Sequence, residues 1–132
     1  MIDALPLRLK PNQDLKLSLQ KIAAIHQIQA GFILTAVGSL QQATLRFAGQ
    51  DDSLCLSGRF EIVSLVGTLS TEGIHLHIAL ADTQGKTIGG HLQTGCIIYT
   101  TAEIVIGTIE GYRFQRTPDG ETGYLELEIN PL

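Results

Sequence analysis

The sequence predicts an α+β fold, a single domain in which one main helix packs on a curled, largely antiparallel β-sheet. Three observations carry that expectation. Only one segment, residues 14–26, places apolar residues at helical spacing. From residue 27 onward, short runs rich in Val, Ile, Leu and Thr alternate with turn residues. A chain of 132 residues suits one domain around one core, so residues 1–132 are read as a single unit.

The elements follow in order. "LPLRLKP" reads as a short opening strand, after which Asn12 or Asp14 can cap a helix. Leu15, Leu19, Ile22, Ala23 and His26 share one helical stripe. Leu15, Leu17 and Leu19 also alternate as a strand would, but Ala23, Ala24 and the other good helix formers favour the helix. "QAGFILTAVG" reads as a strand ending at Gly38-Ser39, "ATLRFAG" as one ending at Gly49, and "FEIVSLVGTLS" as one ending near Glu72-Gly73. Residues 73–92 form a hairpin, followed by a long run over 95–109. "GYRFQR", a Pro118-Asp119-Gly120 turn and "TGYLELEI" complete the chain. Strands joined by turns this short pair antiparallel, because a parallel pair needs a crossover of about a dozen residues or more. The early helix is the only candidate crossover.

Composition narrows the function classes. Hydrophobic residues make up 44% and charged residues 17%, which excludes disorder and points to apolar surface hidden by self-association. No apolar run approaches the roughly 20 residues that span a bilayer, and no membrane partner is expected. "MIDALPLRLKP" has an acid and two prolines where a signal peptide needs an apolar stretch, so the expected location is cytoplasmic. Cys55 and Cys96 form no C-x-x-C pair and read as free, mostly buried thiols. Net charge is −4, and the nine basic residues are scattered rather than striped, which argues against strong direct DNA binding.

Three of the four histidines fall in "GIHLHIALADTQGKTIGGHL". Thr83-Gln84-Gly85 fits a three-residue hairpin loop with glycine in the left-handed position. Asp82 then pairs with Lys86, and the same register sets His77 opposite His91. His75 shares the face of His77, because side chains alternate along a strand, and is a diagonal neighbour of His91. Cβ atoms at such positions lie about 5 and 7 Å apart, so three imidazoles converge as a zinc or similar divalent site requires. A one-residue change in the loop would turn His91 to the other face and leave only a polar patch. Gly89 and Gly90 leave the backbone beside His91 open to a ligand.

Other chemistry is thinner. "VGSLQ" lacks a nucleophile-elbow pattern, and "IGGHLQTG" lacks both the phosphate-loop lysine and dinucleotide spacing. Glu61 and Glu103 are isolated acids inside apolar strands. Each reads either as an acid held at an edge or interface, or as a weak catalytic candidate beside the histidines.

"RLKPNQDLKLSLQ", "VGSLQQATLRF", "GRFEIVSLVGTLS", "HLHIALADTQGKTIGGHLQTG" and "TTAEIVIG" occur in this order. Together they resemble the plant and prokaryote conserved (PPC) domain family, from about Leu7 to Leu127. The resemblance implies a homotrimer with the fold expected above, and some family members use histidines matching His75, His77 and His91 as metal ligands. It also implies partner-protein contacts through the segment matching Gly58, Arg59, Phe60, Glu61, Ile62 and Val63. Plant members carry AT-hooks for A·T-rich DNA, and prokaryotic members are linked to DNA by association with an undefined biochemical role. No Arg-Gly-Arg-Pro core occurs in this sequence, which departs from the plant pattern. Three functional readings follow: a homotrimeric regulatory or protein-interaction module associated with DNA processes, a metal-dependent enzyme or small-ligand binder, and direct DNA binding by the trimer.

Overall fold

A computed structural model describes residues 1–132. One helix, α1 (Leu15–Ile25), stands among eight strands: β1 (Ile2–Leu9), β2 (Gly31–Arg46), β3 (Leu54–Ser70), β4 (Gly73–Ala81), β5 (Thr87–Leu92), β6 (Ile97–Ile109), β7 (Tyr112–Pro118) and β8 (Leu125–Pro131). The class is α+β, with strand far outweighing helix. Six strands form one sheet in the order β1-β6-β2-β3-β4-β5, and β7 pairs with β8 separately. Every pairing is antiparallel.

The helix forms where the stripe predicts. Asp14 caps it, its carboxylate accepting from Leu17 N at 3.0 Å and from Gly95 N at 2.7 Å. Leu15, Leu19 and Ala23 face the core. His26, expected on that stripe, is instead exposed, because the helix ends there. Gln27 turns left-handed at φ 50°, Ile28 N donates to Ala23 O and Gln27 N to Ala24 O, which closes a Schellman cap. Buried Ile28 then carries the chain back to the core.

One expected strand end proves to be a bend, and one strand starts earlier than expected. β2 runs unbroken through Gly38-Ser39, joining segments that read as separate strands, with register shifts around Ile33, Gly38 and Leu40. A Cβ on Gly38 would fall on the Thr101 carbonyl oxygen, so the glycine admits a close neighbouring strand rather than a turn. β3 begins at Leu54 and bulges between Ile62 and Ser64. These irregularities curl the sheet until β5 meets β2 through Leu45↔Leu92 and Arg46↔His91. Strands β2, β3, β4 and β5 thereby form a closed circuit.

A single cluster of 22 buried residues fills the fold, with Leu40, Leu45, Leu80, Leu92 and Ile98 fully enclosed. Cys96 belongs to this core, and burial pushes its thiol up to about 11. Cys55 corrects the expectation of buried thiols: it is exposed, near the start of β3. No helix is long and apolar enough to cross a membrane.

Candidate metal centre

The β4–β5 turn forms as its residues dictate. Asp82 N donates to Lys86 O, Gly85 N to Asp82 O, and the Asp82 carboxylate accepts from Gln84 N and Lys86 N, each at 2.9 Å. Gly85 takes φ +79°, a left-handed value that glycine adopts without strain. The resulting register sets His77 opposite His91 and Ala81 opposite Thr87. His75 lies opposite Thr68 of β3.

The three imidazoles converge. Ring centroids are 5.1 Å apart for His75–His77 and for His75–His91, and 5.7 Å apart for His77–His91. One nitrogen from each ring lies within 4.8 Å of the other two. Three nitrogens on a tetrahedral zinc at about 2.0–2.1 Å are separated by roughly 3.4 Å, so small side-chain rotations close the gap. His91 Nδ1 is buried without a hydrogen-bond partner. An orphaned buried nitrogen is costly unless another group satisfies it, and a metal ion would do so where the nitrogen presents its lone pair.

Burial and nearby cations favour the neutral form of His75 and His91. Burial, then Arg46, His75, Lys16 and His77, lowers the His91 pKa to about 4. Burial and the Arg116 guanidinium lower that of His75, against an opposing pull from Glu126. Neutral imidazole is the form that donates a lone pair to a metal. The same shifts set a pH dependence for the metal-free chain. An unfolded histidine takes a proton near 6.5, whereas folded His91 resists until about 4, so acid favours the unfolded state between these values. Stability should be level above about pH 7, fall as pH drops from about 6.5 to about 4, and level off below. Urea midpoints measured across this range test it, and His91→Gln should flatten the slope.

Beside His75 and His91 lies a cleft of about 940 Å³ that also includes Arg46, Arg116 and Glu126. The β7–β8 hairpin supplies the last two. It docks where Ser70 Oγ donates to Phe114 O at 2.9 Å and Arg116 Nη2 donates to Thr68 Oγ1 at 3.0 Å. Sequence reasoning missed Arg46, Arg116 and Glu126. The pairing of 46 with 91 depends on a sheet closure that no local pattern announces.

Other expected site residues fall elsewhere. Glu61 is exposed, opposite Ser39 and Ala81, five positions along β3 from the Val66 that faces His77. That is roughly 17 Å of strand. Glu103 is exposed on β6 between Arg8 and Val37, away from the hairpin. Gly89 and Gly90 do not open a path for a ligand, because Cβ atoms there would lie 2.8 Å from the carbonyl oxygens of Ile78 and Arg46. They let β5 sit close between β4 and β2. In the segment 58–63, Phe60 and Ile62 enter the core, while Arg59, Glu61 and Val63 are exposed and Gly58 is half-buried. The Arg59 guanidinium lies 4.1 Å from the centroid of the Tyr99 ring.

Known proteins share this fold. A hypothetical protein from Salmonella cholerae-suis (Salmonella enterica) is 40% identical, with TM-score 0.97 over 99% of this chain and 95% of that one. A metal-containing protein from Archaeoglobus fulgidus is 25% identical, with TM-score 0.82 over 96% of this chain and 93% of that one. A bifunctional protein GlmU from Synechococcus sp. (strain JA-3-3Ab) is 59% identical over 127 residues, 96% of this chain. A second, from strain JA-2-3B'a(2-13), is 57% identical. The chain spans about a fifth of the length of these curated relatives. Residues 2–110 match the Plants and Prokaryotes Conserved (PCC) domain, and the chain therefore belongs to the PCC domain family.

Proposed function

We propose that the protein is a homotrimeric regulatory or interaction module of the PCC family, built around one divalent transition metal, zinc first, held by His75, His77 and His91. The observation that carries the metal is the convergence of three imidazoles, one of them with a buried unpartnered nitrogen. The likeness to the metal-containing Archaeoglobus protein supports it. A zinc ion on three imidazoles keeps a fourth, Lewis-acidic position for water or a ligand. The module reading draws support from the GlmU relatives, where a segment like this chain occupies a fifth of a larger bifunctional protein.

Self-association rests on apolar residues left on the surface of adjacent strands. Leu34 and Val37 on β2 and Val63 and Val66 on β3 are each about half exposed. Trimer burial of this face would hide them. Val63 lies in the segment 58–63 proposed to contact partners. Binding to DNA by the chain alone is expected to be weak and salt-sensitive, because net charge is −4 and the basic residues are dispersed.

Protein purified without a histidine tag should contain about one zinc or similar ion per chain by elemental analysis. Light scattering should give three times the chain mass, and a monomer mass at micromolar concentration removes the trimer. A gel shift should show no sub-micromolar, sequence-selective binding at physiological salt; finding it would overturn the DNA expectation.

A further inference from the structure

The strand register does more than gather histidines. Arg46 lies opposite His91, and His91 lies opposite His77, so three side chains stand in a row across β2, β5 and β4. Directly opposed residues project from the same face about 5 Å apart. On the other side His75 lies opposite Thr68, whose hydroxyl accepts from Arg116. Two guanidiniums thus flank the histidine cluster from opposite sides. Each is anchored by a hydrogen bond to a neutral acceptor, Arg46 to Gln50 O at 3.2 Å and Arg116 to Thr68 Oγ1 at 3.0 Å. Most of their N–H groups therefore remain for a ligand.

We propose that Arg46 and Arg116 form an oxyanion clamp, and that the cleft binds a small polar organic molecule by one anionic head, a carboxylate or phosphate monoester. This deepens the metal reading and rests on it, since the head group would lie between the two guanidiniums beside His75 and His91, which line the same cleft. Guanidinium recognises such heads through paired, charge-assisted hydrogen bonds. The cleft, at about 940 Å³, exceeds what an inorganic anion fills and matches small-molecule sites. Its remaining charged groups are Asp51, Glu72 and Glu126, all acidic. They repel a second anionic group and accept from hydroxyl or amino groups on the ligand body. Ile74, Tyr124 and Leu125 form the apolar wall.

The test uses inorganic phosphate and acetate as probes of the two head groups, titrated calorimetrically into zinc-loaded and metal-free protein. Arg46→Gln and Arg116→Gln are compared with the unmodified chain after zinc content is measured. Cobalt-substituted protein adds a visible-band shift as a second readout. The expected result is binding by the loaded chain of at least one probe, weakened about tenfold in each variant while zinc content stays unchanged. The better-bound probe identifies the head group. No binding of either probe up to about 10 mM, or equal binding by the variants, overturns the clamp. Loss of zinc binding by the unmodified chain overturns the metal reading separately. The metal-free titrations then decide the clamp by their arginine dependence.

Discussion

Replacing His77 and His91 together by alanine should lower zinc affinity by about a hundredfold or more, because it removes two of three ligands. These side chains are on the surface of the hairpin rather than in its core: His77 is exposed and His91 half-buried. The double variant should therefore keep its fold, with far-ultraviolet circular dichroism unchanged. Calorimetric zinc titration of metal-stripped protein reads the effect. Equal affinity in the variant and the parent would reduce the three histidines to a polar face of the sheet. The parent should also retain zinc to lower pH than three ordinary imidazoles allow, since burial and Arg46 resist protonation of His91.

Gly67→Ala is expected to be the most damaging small substitution. Gly67 has φ +139°, and a Cβ there would fall on the His75 carbonyl oxygen and within 2.9 Å of Leu76 Cδ2. Backbone strain and a backbone clash act together, for a cost of about 3 kcal/mol and a Tm lower by roughly 10 °C. Because Gly67 lies opposite Leu76 and its neighbour Thr68 lies opposite His75, zinc affinity should fall as well. Gly85→Ala is the control. It also has a positive φ, but open space surrounds its missing Cβ, so about 1 kcal/mol is expected. Calorimetric melting of both variants checks the contrast, and equal Tm values would show that the β3–β4 ladder has slack.

The hairpin was legible because its determinants are local. Asp82 and Gly85 fix the turn, the turn fixes the register, and the register brings His77 to His91. The helix was equally legible from Asp14 and the Leu15–Leu19–Ala23 stripe, although its end depended on Gln27 adopting a conformation more typical of glycine. Long strands were harder. Gly38 has the signature of a turn, but its role, admitting the β6 backbone at Thr101, depends on a residue 63 positions away. The charged groups of the site were hidden for the same reason. Arg46 reaches His91 only through the β2–β5 closure, and Glu126 reaches His75 only through docking of the final hairpin. Glu61 and Glu103 attracted attention as acids in apolar strands, yet both are exposed outward, where water solvates them.

The closure of the strand circuit has a consequence for local opening. β2 joins β6 over most of its length, but it joins β5 through just Leu45↔Leu92 and Arg46↔His91. A seam of two residue pairs has little cooperativity of its own, and one of those residues is a proposed metal ligand. Local fluctuations that separate β5 from β2 would free His91 from Arg46 while leaving it opposite His77 on β4. Ligation of His91 to the same ion as His75 and His77 would fasten the loose end of β5 to β4. The metal would then act as a latch on the sheet, keeping an opening at the β2–β5 seam from spreading into the β4–β5 ladder. Amide hydrogen exchange would register this as slower exchange along β5 in the loaded protein, with the helix and the β1–β6 ladder unaffected.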